Sequence, residues 1–166
     1  MSDVTYMQMA LELAAEAAAE GEVPVGAVVV RGDKVVGVGR NRRERGRNAL
    51  AHAELGAIDM ACRTLGGWRL SGCDLYVTLE PCPMCAGAII NARLDRVFFG
   101  AADPKAGSCG SLVSLFDLPY NHRPALIGGV LAEECGAVLS DFFVALRRKK
   151  AAYPLHNAKN ETHPSK

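Results

Sequence analysis

Two cysteines with the spacing of a metal site are the first residues in the sequence whose types could do chemistry. Cys82 and Cys85 are flanked by Pro81 and Pro83 and follow the apolar run 75–79, where a helical run of small residues begins. Because proline is tolerated in the first turn of a helix, both cysteines are predicted to lie there, with their sulfurs on one face. The partial positive charge of a helix N-terminus favours thiolates, so the pair predicts half of a zinc site.

The histidines are the next source of ligands. The sequence contains four of them: His52, His122, His156 and His163. The last two lie in a polar C-terminal stretch, and His122 lies in a polar connection, where we expect a surface histidine, with a fourth zinc ligand as the alternative. His52 begins a strongly helical segment and is the predicted third ligand. Three protein ligands with an open position are typical of catalytic zinc, which lowers the pKa of its bound water to about 7.

Glu54 stands two residues after His52 and is the predicted proton carrier beside that water. Residues at positions i and i+2 do not share a face inside a regular helix. His52 and Glu54 are therefore expected to reach the metal together only if they occupy the cap or the first turn of their helix.

Length and composition fit one folded domain with a short tail. The chain has 166 residues, of which 49% are hydrophobic, and a formal net charge of +1. Residues 1–150 are enough to bury a core, and any RNA contact must come from local patches because the overall charge gives no signal. Residues 151–166 are polar and are predicted to be disordered.

The N-terminal segment and the hydropathy predict a cytoplasmic protein. The N-terminal segment is acidic and lacks the pattern of a secretory signal, and no apolar run approaches the length of a membrane span. Thiols in the cytoplasm stay reduced, so a metal or catalytic role outranks disulfides. The four cysteines outside the metal motif are expected to be buried, small apolar residues: Cys62, Cys73, Cys109 and Cys135.

Periodicity and turn residues predict an alternation of strands and helices. Helices are predicted over 6–20, 52–65, 82–91 and 131–150, and strands over 23–30, 34–39, 73–79, 95–100 and 126–130. The alternation favours an α/β layered sheet with partly parallel pairing, in which ligands bind at strand C-terminal ends and helix N-termini. Gly26, in the first strand, indicates either the start of the strand or a close approach to a ligand.

Polar residues before His52 are candidates for substrate binding. Asn41 ends a predicted strand, and its amide offers both a donor and an acceptor to a base edge. The segment 40–48 contains five arginines, which indicates either a solvated loop or a rim that contacts phosphates. The basic run 147–150 either complements the dipole of the last helix or contacts an RNA backbone.

These motifs together resemble the zinc-dependent nucleobase deaminases, whose signature is H-x-E followed by P-C-x-x-C. The segments 52–54 and 81–85 reproduce that signature. Within this cytidine/deoxycytidylate deaminase superfamily the chain resembles the bacterial tRNA-specific adenosine deaminases over about residues 22–149. The similarity also includes segments 23–27, 75–80, 102–107, 121–123 and 139–143. The last three favour the tRNA enzymes, because small-molecule deaminases diverge there.

The resemblance implies a fold, a reaction and a set of residues. The fold would be a three-layer α/β/α cytidine-deaminase-like domain with a five-stranded mixed sheet, and the enzyme would be a homodimer with one zinc per subunit. The reaction would be hydrolytic deamination of adenosine to inosine at the wobble position of a tRNA anticodon. Zinc would be bound by His52, Cys82 and Cys85, with Glu54 as proton shuttle. Substrate contacts, from the base to the anticodon stem-loop, would come from Asn41, Ala53, Val25, Asp103, Lys105, Asn121, Arg123 and Phe143.

Two other functions are compatible with the metal motif. A small-molecule deaminase acting on guanine, cytosine or cytidine would share the zinc chemistry, and only the outer loops separate it from a tRNA enzyme. The five-arginine segment and the run 147–150 favour RNA. A non-catalytic RNA-binding subunit with a structural zinc is the third possibility, and Glu54 argues against it, because the non-catalytic partner subunits of the family lack this glutamate.

Overall fold

A central five-stranded sheet organises the structure. The computed structural model describes residues 1–152. The strands are β1 (Gly26–Arg31), β2 (Lys34–Arg40), β3 (Cys73–Leu79), β4 (Arg96–Ala101) and β5 (Ala125–Gly128), in the spatial order β2-β1-β3-β4-β5. β1 pairs antiparallel with both β2 and β3, whereas β3–β4 and β4–β5 are parallel. The sheet is therefore mixed, as predicted.

Helices cover both faces of the sheet. They are α1 (Asp3–Ala19), α2 (Arg43–Gly46), α3 (Ala53–Leu65), α4 (Pro83–Ala92) and α5 (Ala132–Ala152), with a 3₁₀ turn at Leu115–Asp117. No helix of this described part is long and apolar enough to cross a membrane.

Side chains that alternate along the strands feed two separate cores. Val28, Val30, Tyr76 and Phe98 pack with residues of α1 and α5. Their neighbours in sequence, which include Val29 and Val77, pack with residues of α3 and α4 on the other face. Because successive strand residues point to opposite faces, nearly continuous apolar strands are what a sheet covered on both sides requires. The predicted three-layer α/β/α architecture is confirmed.

Glycines in β2 let α3 lie directly on the sheet. A Cβ atom at Gly39 would overlap the carbonyl oxygen of Ala53 and lie 2.6 Å from the backbone nitrogen of Ala57. A Cβ atom at Gly37 would make the same overlap one turn further along α3. Gly26 serves α1 in the same way, because a Cβ atom there would overlap the carbonyl oxygen of Ala10. Because β1 begins at Gly26, the prediction of a strand start is confirmed, and the alternative of a ligand contact stays a prediction.

The differences from the predicted elements are local. The arginine-rich segment was expected to be a loop, but it contains the short helix α2. β1 begins at Gly26 rather than 23, β5 spans 125–128 rather than 126–130, and α5 begins at 132 and continues to 152. The rest of the predicted tail, with His156 and His163, lies outside the described residues. Cys73, Cys109 and Cys135 are buried as expected, whereas Cys62 is only half-buried.

Candidate active site

The N-terminus of α3 presents His52 and Glu54 together. His52 is the N-cap residue, with extended backbone (φ −82°, ψ 153°), and its side chain makes no capping hydrogen bond. Ala53 and Glu54 are the first two residues of the helix, and both are buried. Because the N-cap residue lies outside the helical repeat, His52 and Glu54 need not obey the i, i+2 restriction. The predicted placement at the cap and first turn is confirmed.

The N-terminus of α4 presents the two cysteines. Cys82 is the N-cap residue, Pro83 is the first helical residue, and Cys85 is buried in the same turn. The prediction that both cysteines lie in the first turn is confirmed for Cys85, whereas Cys82 lies one position before it. Proline suits this position because the first amides of a helix have no intrahelical acceptor.

The three side chains converge into one cluster. The Nδ1 atom of His52 lies 3.7 Å from Sγ of Cys82 and 3.5 Å from Sγ of Cys85. All three ligand atoms lie within 4.8 Å of one another. Zinc–nitrogen and zinc–sulfur bonds of ordinary length at a tetrahedral angle would separate nitrogen from sulfur by about 3.6 Å. The donor set and its spacing therefore fit a zinc ion. His122 is not in the cluster, because its Nε2 atom lies 2.7 Å from the carbonyl oxygen of Leu94.

The cluster favours negative charge on sulfur. Hydrogen bonds from Cys85 and His52 lower the pKa of Cys82 to about 4, against the effect of burial. The bond to Cys82, together with burial, raises the pKa of Cys85. The same pairing with Cys82 raises the pKa of His52. One thiolate is thus already favoured, and a divalent cation would displace the remaining protons, because metal binding requires deprotonated ligands.

Glu54 is a buried carboxyl beside this cluster. Its exposed fraction is 4%. Burial, which penalises the charged form, raises the pKa of Glu54 to about 7. A carboxyl that titrates near neutral pH is suited to accept a proton and to return it. A cation bound at the neighbouring cluster would stabilise the carboxylate and lower this pKa.

A cavity of about 200 Å³ opens onto the cluster. Its wall includes His52, Glu54 and Cys82, together with four residues predicted to contact substrate and five others. The predicted ones are Val25, Asn41, Ala53 and Asp103, and the others are Val23, Arg43, Leu79, Glu80 and Ala106. The ends of the strands and the N-termini of α3 and α4 thus meet on one side of the sheet, as expected for the predicted α/β fold.

Comparisons with known proteins agree with this geometry. The sequence profile of the MafB19-like deaminase family matches residues 1–147. The chain is 50% identical to the tRNA-specific adenosine deaminase of Bacillus subtilis (strain 168), over 90% of this chain and 94% of that protein. A solved structure from a study of A-to-I editing by tRNA:A34 deaminases superposes with a TM-score of 0.79 and 44% identity, over 81% of this chain and 99% of that one.

The chain belongs to the tRNA-specific adenosine deaminase family. The resemblance inferred from the motifs is thereby confirmed. A more distant structural likeness is to guanine deaminase from Bacillus subtilis, with a TM-score of 0.61 and 33% identity, over 96% of this chain and 99% of that one. The fold is therefore common to deaminases that are named for different substrates.

Asn41 places an unpaired hydrogen-bond acceptor on the cavity wall. It is buried, and its Nδ2 atom donates to the carbonyl oxygen of Val23 at 3.2 Å. Its Oδ1 atom is also buried but has no hydrogen-bond partner within residues 1–152. A buried acceptor without a partner is costly, so its position on the cavity wall points to a ligand donor.

Four of the predicted substrate residues lie away from the cavity wall. Lys105 and Phe143 line a separate surface recess with Arg147. Asn121 and Arg123 are exposed, and a guanidinium nitrogen of Arg123 donates to the carbonyl oxygen of Asp117 at 2.8 Å. The structure thus brings the predicted base-contacting residues together, but places these four at the periphery.

Glu80, a buried carboxylate on the cavity wall, was not predicted from the sequence. It accepts hydrogen bonds from the backbone amides of Asp103 (2.9 Å), Cys109 (3.0 Å) and Ser111 (3.0 Å) and from the Ser111 hydroxyl. Burial opposes its ionisation, but these bonds outweigh burial and hold the pKa of Glu80 below its usual range. Glu80 thereby fixes the segment that carries Asp103 and Ala106. The glutamate in the run Leu79-Glu80-Pro81, at the end of a buried strand, was the available signal.

Proposed function

We propose that this protein hydrolyses the 6-amino group of the wobble adenosine in a tRNA anticodon, which yields inosine and ammonia. The observation that carries the proposal is the burial of Glu54 beside the His52–Cys82–Cys85 cluster, in a cavity whose wall presents the unpaired amide oxygen of Asn41. The 50% identity to a tRNA-specific adenosine deaminase over nearly the full length supports this substrate over a free base.

One zinc ion per subunit would be held by Nδ1 of His52 and by the sulfurs of Cys82 and Cys85. When bound, it supplies Lewis-acid activation of a water molecule as the nucleophile at near-neutral pH. Three ligands from the chain suit this role, because catalytic zinc sites keep one position for water or substrate.

Glu54 would move the protons. Its carboxylate takes a proton from the attacking water and delivers it to N1 of the adenine ring, which makes C6 more electrophilic. It then carries the second proton to the departing amino group, so that ammonia leaves and the oxygen remains at C6. Burial at the helix N-terminus keeps this carboxyl close to the reacting atoms, and a cation bound at the cluster would favour its ionised form, which accepts the first proton.

The base would be held by residues of the cavity wall. Asn41 offers the free Oδ1 atom as an acceptor and the second hydrogen of Nδ2 as a donor. The backbone of Ala53 and the apolar side chain of Val25 would contact the base on either side. Because only an extruded base fits such a cavity, a single-stranded anticodon loop is the nucleic acid that enters at least cost.

The RNA around the base would contact the periphery. We assign this role to Lys105, Asn121, Arg123 and Phe143, together with Asp103 on the cavity wall. The protein would act in the cytoplasm, where tRNA is its substrate. It would also form a homodimer, a proposal that the molar mass in solution tests directly.

Guanine deamination is the second candidate, because the structure also resembles a guanine deaminase. Purified protein should be incubated with an anticodon stem-loop carrying a wobble adenosine and, in parallel, with free guanine, cytosine and cytidine. We expect inosine from the stem-loop and no product from the free compounds. Turnover of guanine without inosine would refute the tRNA assignment and leave the proton chemistry of Glu54 intact.

A further inference from the structure

Glu22, which the mechanism does not use, is a buried carboxylate at the entrance to β1. Its exposed fraction is 1%. It accepts a hydrogen bond from the backbone amide of Arg45 at 2.7 Å and another from that of Glu44 at 3.1 Å. A buried carboxylate is costly unless it is bonded, so these two amides are its compensation.

Those amides belong to α2, which is too short to be stable as an isolated helix. The helix has four residues, far fewer than an isolated helix needs. Its N-cap residue, Arg42, makes no side-chain capping bond. Glu22 supplies the missing cap from a position 22 residues earlier in the sequence. Glu22 therefore fixes the first turn of α2, and a bond from the backbone nitrogen of Arg42 to the carbonyl oxygen of Ala51 holds the residue before it.

The arginines of this segment fall into different environments. Arg40 is paired with Glu16 at 3.0 Å and with Glu20 at 2.9 Å, and Arg45 is 3.4 Å from Glu20. Arg43 instead lies on the wall of the active-site cavity. Its ion pair with Glu44 has a separation of 3.8 Å, and the two side chains are 51% and 75% exposed. Such an exposed pair holds a guanidinium only weakly.

We propose that Glu22 is a positioning residue that holds Arg43 at the cavity mouth, where its guanidinium binds a backbone phosphate of the substrate RNA. The inference rests on the proposed function. Arginine presents a planar fork of donors that matches a phosphate, and the cavity beside it takes the base of the same nucleotide. Arg40 has a different role, since its guanidinium is paired with Glu16 of α1 and with Glu20 at the C-cap of that helix.

A double-mutant cycle tests this assignment. KM and kcat for the stem-loop are measured at several salt concentrations for wild type, Arg43→Ala, Glu22→Gln and the double variant. A phosphate contact made equally in the ground and transition states affects KM rather than kcat. Arg43→Ala should raise KM about tenfold and reduce the slope of log KM against log salt by roughly 0.7 to 1. Glu12→Gln, on the exposed side of α1, is the matched control and should change neither.

Glu22→Gln keeps the shape of the side chain but can accept only one of the two amide bonds well. It should raise KM about fivefold in the wild-type background and have almost no effect on KM when Arg43 is already alanine. If Glu22 has a purely structural role, Glu22→Gln should instead lower kcat/KM by the same factor in the wild-type and the Arg43→Ala backgrounds.

Each outcome decides between distinct claims. Equal effects of Glu22→Gln in both backgrounds would overturn the positioning role. Unchanged KM and salt slope in Arg43→Ala would overturn the phosphate contact, whether or not Glu22→Gln folds. Absence of inosine with wild-type protein would refute the proposed function itself, and the RNA contact with it.

Discussion

The approach of α3 to β2 gives the sharpest test of how the fold positions the site. In Gly39→Ala the new methyl group would lie 2.6 Å from the backbone nitrogen of Ala57 and overlap the carbonyl oxygen of Ala53. Ordinary contacts of this kind are about 3.4 Å, so α3 must move by roughly 1 Å at its N-terminus. That turn carries His52 and Glu54.

The expected effect is larger on catalysis than on stability. Overpacking of this kind costs about 1–3 kcal/mol of folding free energy. A misplacement of about 1 Å at reacting groups costs roughly a hundredfold in rate. The assay is kcat for inosine formation from the stem-loop, together with the free energy of unfolding in urea and the zinc content.

Two neighbouring glycines provide matched controls. Gly37→Ala overlaps α3 one turn further from His52, so it should lose similar stability but much less activity. Gly56→Ala faces the same interface from the helix side, where its methyl group would be 3.6 Å from the Cα atom of Gly39, an ordinary contact. It should retain activity and gain about 0.5–1 kcal/mol, because alanine favours the helix. Equal loss of activity in Gly37→Ala and Gly39→Ala, or none in Gly39→Ala, would refute the reasoning.

Three further substitutions test the site directly. Glu54→Gln should lower kcat at least a hundredfold while zinc content stays at one per subunit, and retained turnover would remove Glu54 as proton carrier. Cys85→Ser should lose zinc and activity together, as judged by metal analysis, whereas retained zinc would argue against Cys85 as a ligand. Glu80→Gln should destabilise the protein by about 1–3 kcal/mol in urea unfolding, because the amide nitrogen replaces one carboxylate oxygen and cannot accept the bonds made to it, either from Cys109 and Ser111 or from Asp103. Unchanged stability would show that these bonds do not hold the segment.

Short-range chemistry was predictable from the sequence. Pro81 and Pro83, beside the two cysteines, predict the start of a helix. His52 and Glu54 can both reach a metal only from a helix cap and first turn, which is where they lie. Apolar strands that alternate with helices determine the layers of the sheet. Each of these inferences uses residues that are close in the sequence, and the structure agrees with their placement.

Long-range bonding was not predictable in the same way. Glu22 acts on amides 22 and 23 residues away, and Glu80 on amides 23 to 31 residues away. The sequence around Glu22 and Glu80 does not distinguish either residue from an exposed glutamate, because the amides that bond to each come from distant segments. The arginines pose the same problem, because only the tertiary structure separates Arg40, which is paired with α1, from Arg43, which reaches the cavity.

The residues of the site therefore form two groups, which are held in place by different elements of the fold. His52, Glu54 and the cysteines stand at the N-terminal ends of α3 and α4, and α3 lies so close to β2 that a Cβ atom at Gly39 would overlap it. The residues around the entrance stand on segments that are held mainly by Glu22 and Glu80. We expect loop sequence to change around such anchors without moving the helix ends, in a fold that deaminases named for guanine and for tRNA share. Substrate choice in this chain should accordingly respond to changes in the anchored segments, whereas loss of chemistry should require changes at the helix ends.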